Sequence, residues 1–479
     1  MLFNTYEFIF LFLPVTFLLF FLLGKYKKEW ATGWLVAASF FFYGFWDYHF
    51  VPLLMFSILV NFFVGRKIEK NSRKCGWLFV GILFDLVLLG YFKYTDFFLG
   101  TVYDLLGTGH YSLPHIVLPL GISFFTFTQM AYLVDAYRGE TKNRSFLTYC
   151  EFVTIFPHLI AGPIIEHKSM IPQFVHRNTF RLNWQNISCG LVIFIIGLFK
   201  KSVVADELST WCAYTFSHVD SLTFLEAWIG ALAYTFQLYF DFSGYSEMAI
   251  GLGLMFNLKF PVNFNSPYQA TSMIDFWRRW HMTLGQWVKN YLYIPLGGNR
   301  QGQLKKMRNL FTSMLIIGLW HGAGWTYVIW GGIHGLLLMI NHQWRRFGAH
   351  IPTSLAWGMT FLCVVFCWVI FRADNLRDAL NIISTMLDIH TFALPNEKRY
   401  VQFLGDMGIP FIQWNMPKLL HQEIIIELLL LLIVTKFKST LLLMKSFSPN
   451  WKWFIVILAM GIASLCQMNT YTEFLYFQF

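Results

Sequence analysis

Residues 311–340 read FTSMLIIGLWHGAGWTYVIWGGIHGLLLMI, and this stretch decides what kind of protein the chain forms. It contains no Lys, Arg, Asp or Glu. A helix needs roughly 20 apolar residues to cross the hydrocarbon core of a bilayer, so the stretch is long enough to do so. Several of its residues are glycine, at positions 322, 324, 331, 332 and 335. Because small residues let membrane helices approach closely, we predict that this segment lies inside a membrane.

The rest of the chain has the same character. Of its 479 residues, 56% are hydrophobic and 13% are charged, whereas an ordinary soluble domain carries about 25% charged residues. Apolar runs recur from end to end, and none of the loops has the character of an independent domain. The sequence therefore predicts one all-α domain over residues 1–479, a polytopic transmembrane helical bundle surrounded by lipid bilayer. A water-soluble globular protein is excluded.

The net charge of +10 raises the question of a polyanionic partner. The basic residues fall in short clusters beside apolar runs, as the positive-inside rule predicts for cytoplasmic loops, so we expect no nucleic-acid partner. The first apolar run, 8–23, lacks a small-residue cleavage site and is followed by Lys25, Lys27 and Lys28. It is therefore predicted to be a retained helix rather than a signal peptide.

The basic clusters also predict the side of the membrane on which each end of the chain lies. The predicted cytoplasmic clusters lie at 25–28, 66–74, 345–346 and 436–452. By the positive-inside rule, the N-terminus, the segment 372–422 and the aromatic C-terminal tail 470–479 are then extracytoplasmic.

Prolines interrupt the apolar runs in the middle third of the chain, at positions 157, 163, 261 and 295. Inside a membrane, broken backbone is tolerated only where protein or a water-filled cavity satisfies its hydrogen bonds. We therefore expect re-entrant or tilted central helices around a through-membrane channel.

His321 is an ionisable residue in an otherwise uncharged apolar stretch. Such residues are costly at membrane depth and usually functional. A neutral imidazole in a dry slot could accept a proton from a hydroxyl group. The other interpretation is that His321 only hydrogen-bonds a neighbouring helix, and composition alone leaves both open. His334 does not fall on the same face of an unbroken helix, so a structural role is favoured for it.

The segment from Asp275 to Arg300 mixes aromatic residues with cations. A helix at the membrane interface has this composition, with tryptophan at headgroup depth and arginine reaching towards water. The functional interpretation is that a cation group binds the phosphates of a cytoplasmic donor. The candidate donor-binding residues are Arg278, Arg279, Lys289 and Arg300.

Asp241 is the one charged residue in the segment 237–246. An isolated acid at membrane depth needs a partner, and we expect an arginine or a histidine of the bundle. Its predicted role is mainly structural, because a buried acid often organises a polar network. His158 lies between Pro157 and Pro163, where the backbone is broken, and it is also predicted to be structural.

Five segments, taken together and in order, resemble the membrane-bound O-acyltransferase superfamily. The resemblance is to the bacterial branch containing the membrane subunit of alginate O-acetyltransferase, its peptidoglycan counterpart and the D-alanyl transfer protein of teichoic acid modification. The segments are LPLGISFFTF at 118–127, FPHLIAGP at 156–163, YFDFSGY at 239–245, FWRRWH at 276–281 and LWHG at 319–322.

The resemblance implies roles for individual residues. His321 matches the superfamily's near-invariant catalytic histidine. His281 matches the histidine of its second motif, for which a role towards the donor is implied. The tail 474–479, FLYFQF, is similar to an aromatic C-terminal motif whose tyrosine, here Tyr476, is proposed to hold the acyl group transiently. The other interpretation of this tail is an aromatic belt at the bilayer interface.

We therefore expect an acetyltransferase of the bacterial inner membrane. An acetyl thioester, expected to be acetyl-CoA, would donate from the cytoplasm, with His321 as the general base and Tyr476 as the acyl relay. The resemblance implies an extracytoplasmic hydrolase-like O-acetyltransferase partner whose serine nucleophile passes the acetyl group to a polysaccharide such as alginate or peptidoglycan.

Two other functions compete with this interpretation. A transporter or flippase for a cell-envelope glycan precursor would explain the broken helices, but it gives no role to His321 or Tyr476, and the halves show no inverted symmetry. A metal site built from His281, His321 and His334 lacks cysteine or carboxylate ligands and a recognisable spacing. We expect no metal and no bound cofactor, with acetyl-CoA acting as a substrate.

Overall fold

The structure is a computed structural model, and it describes residues 1–70, 73–107, 112–141, 145–348, 351–395, 411–412, 420–437, 439–444, 447–468 and 475. Almost all of the regular structure in this part of the chain is helical. Two strands of two residues each, β1 (Leu394–Pro395) and β2 (Phe411–Ile412), pair in parallel. The predicted all-α polytopic fold is confirmed.

The α-helices follow one another with short connections. They are α1 Leu13–Tyr26, α2 Lys28–Gly44, α3 Val51–Lys70, α4 Lys74–Leu89, α5 Thr95–Leu106, α6 Ile122–Tyr137, α7 Phe146–Thr154, α8 Phe156–Leu159, α9 His167–Val175, α10 Trp184–Phe199, α11 Asp206–Ser217, α12 Phe224–Met255, α13 Met273–Trp277, α14 Met282–Val288, α15 Gln303–His321, α16 Trp325–Phe347, α17 Thr353–Arg372, α18 Leu376–Leu387, α19 Leu420–Lys436, α20 Thr440–Met444 and α21 Trp451–Gln467.

Short helical turns of other kinds extend or join these helices. The π-helical segments are Glu7–Phe12, Gly90–Tyr94, Lys200–Ala205 and Lys289–Tyr293. The 3₁₀ segments are Tyr48–Phe50, Arg177–Phe180, Val219–Ser221, Pro267–Gln269 and Ile389–Thr391. The π-helical segments 90–94 and 200–205 lie within long helical rods, the first between α4 and α5 and the second between α10 and α11.

Several of these rods are long and apolar enough to cross a bilayer. Within the described residues, the five that meet this criterion are Phe8–Tyr26, Tyr48–Lys70, Lys74–Leu106, Trp184–Ser217 and Thr353–Arg372. Their exposed side chains are largely aliphatic and aromatic, as a lipid-facing surface requires. The side of the membrane assigned to each loop stays a prediction from charge.

The central helix α12 is buried over almost its whole length of 32 residues. Its N-terminus is fixed by a capping box, in which the Thr223 hydroxyl and the Glu226 carboxylate each accept from the other residue's backbone N–H. Around it lie several helices of nine residues or fewer, α7, α8, α9, α13 and α14. These interrupted helices match the predicted broken central region, whereas a channel through it stays a prediction.

Helices α10 and α12 pack with their backbones in contact. A Cβ atom added to Gly197 would lie 2.5 Å from the carbonyl oxygen of Gly244, and one added to Gly190 would lie 2.6 Å from that of Gly251. Real Cβ atoms do not come so close to an oxygen, so only glycine fits these positions. Small residues allow such contacts in membrane proteins, where apolar burial alone does not distinguish a neighbouring helix from lipid.

We expect Gly197→Ala to destabilise the fold, because the added methyl group must push α10 away from α12. Overpacking of this kind costs roughly 1–3 kcal/mol. The measurement is thermal unfolding of the detergent-solubilised protein. Gly33→Ala is the matched control, because a Cβ there meets nothing within 4 Å. Equal unfolding temperatures for the two variants would contradict the glycine contact.

Candidate active site

His321 is the last residue of α15, and its side chain is buried, with 5% of the residue exposed. The next residue, Gly322, has an extended backbone, and α16 begins three residues later at Trp325. The imidazole lies edge-on to the rings of Trp330 and Phe371, with centroids 5.2 and 5.4 Å away. His321 is therefore held between aromatic walls at the point where the helix ends.

The α15–α16 hairpin depends on a close glycine contact. A Cβ on Gly331 would lie 2.4 Å from the carbonyl oxygen of Met314, and one on Gly318 would lie 2.3 Å from that of Tyr327. Gly331 belongs to the glycine set predicted to allow close helix approach. Gly318 is the residue it packs against, and sequence reasoning did not single it out. The contact fixes the position of His321 along the axis of α16.

The last carbonyl groups of α15 accept hydrogen bonds from one π-helical turn. Lys93 Nζ donates to the carbonyl oxygen of Trp320. It also lies 3.3 Å from the carbonyl oxygen of His321 and 3.3 Å from the Ser123 hydroxyl oxygen. The Tyr94 hydroxyl donates to the carbonyl oxygen of Leu319 at 2.8 Å. A cation at a helix C-terminus also interacts favourably with the helix dipole. The segment Gly90–Tyr94 therefore holds the end of the helix that carries His321.

His281 lies at the start of α14 and is fully buried. Its backbone is left-handed, with φ 43° and ψ 54°, an uncommon conformation for a residue other than glycine. Its Nδ1 is 3.3 Å from Asn263 Oδ1, which also accepts from the Thr283 hydroxyl at 2.6 Å. Strained backbone of this kind is often found at functional sites.

Trp320 connects the two histidines. Its ring centroid is 6.3 Å from that of His281 and 5.0 Å from that of His321. The two imidazoles are also close enough to interact electrostatically, as are those of His321 and His334. His334 accepts from the Trp277 indole N–H at 3.2 Å, which agrees with the structural role favoured for it. Within the described residues, no group of three His, Cys, Asp or Glu side chains is arranged to hold a metal ion.

The other segments that carry the family resemblance pack around this pair. Phe127 stacks on Trp287 and Trp320, with centroid distances of 3.9 and 5.0 Å. Gly121, which begins α6, packs against the backbone of Leu159 in the Phe-Pro-His segment. The five segments, distant in sequence, therefore form one neighbourhood.

The two residues predicted to be structural are both buried and paired. His158 Nδ1 lies 2.8 Å from the carbonyl oxygen of Pro163, so it satisfies a backbone group freed by the broken helix. Asp241 pairs with Lys201 Nζ at 2.7 Å. The partner is thus a lysine and not the arginine or histidine expected from the sequence. Lys201, in the π-helical segment between α10 and α11, satisfies the acid equally well.

The four predicted donor-binding cations differ in their surroundings: one is paired within the fold and three are exposed. Arg279 is held within the fold, since its Nε lies 3.0 Å from Asp275 Oδ1 and its Nη1 donates to the carbonyl oxygen of Asn265. Arg278, Lys289 and Arg300 are exposed. Arg279 therefore has a positioning role for the segment that precedes His281, and the exposed residues remain available to a ligand.

Arg278 belongs to a basic cluster with residues from other helices. It acts electrostatically on His342, together with Lys306 and Arg345. Lys306 Nζ lies 3.4 Å from His342 Nδ1. These residues come from α15, α16 and the turn before His281, so the cluster could not be read from a single stretch of sequence. Lys289 and Arg300 lie on the turns between α14 and α15.

A cavity of about 700 Å³ opens beside the end of α15. Its wall includes Asp96 and Asp104 of α5, the linker 323–327 that follows His321, and Arg372–Leu376. By the positive-inside prediction, this is the extracytoplasmic side. The cavity begins at Ala323, two residues after His321.

Tyr476 and most of the predicted tail lie outside the described residues. Sequence reasoning missed Lys93, Tyr94, Asn263 and Lys201. Two of these, Lys93 and Lys201, could have been recognised from the sequence, because they are cations inside long apolar segments. Ionisable residues at membrane depth are usually functional. Asn263 and Tyr94 have no such signal and are recognised only by their contacts.

Comparisons with known proteins agree with the geometry. Residues 9–376 match the model of MBOAT, the membrane-bound O-acyltransferase family. A peptidoglycan O-acetyltransferase of Helicobacter pylori is 43% identical, over 100% of this chain and 98% of its own length. A protein of Pseudomonas aeruginosa named "Probable alginate O-acetylase AlgI" is 42% identical, over 83% of this chain and 77% of its own length. A teichoic acid D-alanyltransferase of Bacillus subtilis is 25% identical, over 67% of this chain and 84% of its own length.

We expect Lys93→Met to lower acyl transfer by about ten- to a hundredfold, because the carbonyl groups at the end of α15 lose their donor and His321 shifts. The measurement is the rate of acyl transfer by the purified protein, with the unfolding temperature recorded in parallel. Lys25→Met is the control, since Lys25 is exposed and lies outside the candidate site. An unchanged rate in Lys93→Met would show that the cap does not position His321.

Proposed function

This chain belongs to the membrane-bound O-acyltransferase family and is an O-acyltransferase, and from this we propose that it moves acetyl groups from a cytoplasmic thioester to the outer side of the inner membrane. The donor is acetyl-CoA, and the final acceptor is a hydroxyl group of an extracytoplasmic polysaccharide. His321 is the general base. The observation that carries this proposal is that His321 and His281 are both buried beside the Trp320 ring, while a cavity begins two residues after His321, at Ala323.

In the first step, an acceptor hydroxyl attacks the thioester carbonyl carbon while His321 takes its proton. The tetrahedral intermediate then expels the CoA thiolate, which receives a proton from the imidazolium. The acceptor is Tyr476, whose reference pKa of about 10 leaves little phenolate at neutral pH, so a base is needed. An acetyl-tyrosine ester and free CoA result.

In the second step, a partner protein on the outer side removes the acetyl group from Tyr476. Its serine hydroxyl attacks the acetyl-tyrosine ester, which restores the tyrosine hydroxyl and leaves an acetyl-serine. A polysaccharide hydroxyl then takes the acetyl group from the serine. Relatives named as a peptidoglycan O-acetyltransferase and an alginate O-acetylase support a polysaccharide acceptor.

The donor's phosphates bind at the basic cluster of Arg278, Lys306 and Arg345. Guanidinium groups suit phosphates because they donate two parallel hydrogen bonds with a full positive charge. Arg278 stands three residues before His281, which would face the thioester end of the donor. The burial of His281 and Trp320 then excludes water from the reacting carbonyl, which limits hydrolysis of the thioester.

We expect His321→Ala to abolish formation of acetyl-tyrosine while leaving the protein folded. The protein is incubated with acetyl-CoA, and its C-terminal peptide is analysed by mass spectrometry. The wild type should show an acetyl adduct on Tyr476, and His321→Ala should show none above the level of Tyr476→Phe. Full polymer acetylation by His321→Ala would contradict the general base. Full acetylation by Tyr476→Phe would remove only the relay and leave direct transfer to another acceptor.

We expect Arg278→Ala and Arg345→Ala to raise the KM for acetyl-CoA by about tenfold each with little change in kcat, because phosphate contacts contribute to binding of substrate and transition state alike. The KM of the wild type should rise with salt, since ionic contacts are screened. Lys289→Ala and Arg300→Ala serve as controls outside the cluster. Equal effects from all four substitutions would contradict a site at the cluster and favour a diffuse basic surface.

A further inference from the structure

A buried ion cluster lies in the middle of the bundle, on α12 and the α10–α11 rod. Lys201 Nζ lies 2.7 Å from Asp206 Oδ1 and 2.7 Å from Asp241 Oδ1. The three side chains are between 1% and 8% exposed. A buried carboxylate is costly unless all of its hydrogen-bonding positions are satisfied, so the second oxygen of Asp241 also needs a donor.

That donor comes from the C-terminal tail. The backbone N–H of Leu475 donates to Asp241 Oδ2 at 3.1 Å, across 234 positions of the sequence. Leu475 itself is 7% exposed, although α21 ends eight residues earlier at Gln467. The chain therefore returns into the bundle after its last helix, at least at Leu475.

The helix that carries the contact also borders the candidate active site. Phe242, the next residue after Asp241, packs edge-on against His281 with ring centroids 4.8 Å apart. One helical turn further on, Tyr245 stacks against Phe3 at 4.6 Å. The tail contact and the N-terminus thus meet the same helix, α12, that forms one wall around His281.

We propose that Asp241 is the docking residue for the C-terminal tail and that it places the tail for acyl transfer. Lys201 holds one carboxylate oxygen, which orients the other towards the tail backbone. A hydrogen bond from a backbone N–H to a carboxylate is stronger than one between neutral groups, and more so in a dry interior. The residue held in this way is the one directly before Tyr476 in sequence. Asp241 is therefore a positioning residue, and the proposal rests on the proposed role of Tyr476 as the relay.

The cluster offers a matched control. Asp206 and Asp241 both pair with Lys201 at the same distance, but only Asp241 has a bond to Leu475 in the described residues. Replacing either acid by alanine leaves Lys201 with the other carboxylate. A purely structural role of the ion cluster would be damaged in a similar way by both substitutions, whereas a docking role belongs to Asp241.

The tail can be changed without touching the cluster. Leu475→Pro removes the N–H that Asp241 accepts, because proline has no backbone donor. Leu475→Ala keeps this N–H and shortens only the side chain. Since the substitution lies after the last helix, Leu475→Pro leaves the helices of the bundle unaltered and remains informative even if Asp241→Ala fails to fold.

The first measurement is acetyl-tyrosine formation in single-turnover experiments. Asp241→Ala and Leu475→Pro should each lower its rate by about tenfold or more, as loss of a charged hydrogen bond predicts. The double variant should be no slower than the slower single variant, since both remove the same bond. Asp206→Ala should stay within about threefold of the wild type, well below the loss expected for a charged hydrogen bond. Leu475→Ala should lose less than Leu475→Pro, because it keeps the backbone N–H. Equal losses in Asp206→Ala and Asp241→Ala, or additive losses in the double variant, would overturn the docking role.

The second measurement is the accessibility of position 475 in the tail, which does not depend on acyl transfer. Leu475→Cys is labelled with a water-soluble maleimide, in a background where the exposed Cys75 and Cys466 are serine. Labelling should be slow in this parent and in Asp206→Ala, and at least about tenfold faster in Asp241→Ala, in proportion to the hydrogen bond lost. Equal labelling rates would overturn docking even if His321 proves essential. If Asp241 protects position 475 but Tyr476 is never acetylated, the relay fails and the docking contact stands.

Discussion

A helix that ends inside a membrane protein leaves carbonyl groups that water does not reach, and α15 ends at His321. The bonds from Lys93 and Tyr94 to the last three carbonyl groups of this helix resolve that problem. Without these donors the helix end would be destabilised, because an unsatisfied buried carbonyl costs roughly 1–3 kcal/mol. The histidine is thus placed by backbone chemistry as much as by its own contacts.

The rest of the interior follows the same constraint. Several polar groups near the site have their partner on a different element: Lys93 and Tyr94 bond the end of α15, and the Trp277 indole bonds His334 of α16. Satisfying these hydrogen bonds also fixes helix positions. Glycine contacts then bring the helices together, between α10 and α12 and between α15 and α16. The acyl transfer proposed for this protein needs such a rigid, dry interior, because a thioester exposed to water is hydrolysed and a misplaced base loses rate steeply.

The sequence predicted the all-α membrane fold and the break in its central helices, since apolar length and proline act locally. It also singled out His321, whose catalytic role stays a prediction. It did not predict which residues meet. Lys93 and Trp320 are 227 positions apart, and neither local sequence predicts their contact. The choice of Lys201 as the partner of Asp241, and the approach of Arg278 and Arg345 to the same residue, His342, likewise depend on how the helices pack. The tail was expected to lie outside, and the burial of Leu475 could not be foreseen from an aromatic composition that also suits the bilayer interface.

The central claim is that the acetyl group crosses the membrane while its carrier does not. It is tested most directly in sealed proteoliposomes with the cytoplasmic face outward, supplied outside with acetyl-CoA that carries one isotope in the acetyl group and another in the CoA. Polysaccharide and the acceptor partner are enclosed in the lumen. The account predicts that the acetyl label alone appears on the enclosed polymer and that all of the CoA label stays outside. CoA label inside the vesicles, or acetyl transfer confined to the outer face, would contradict it.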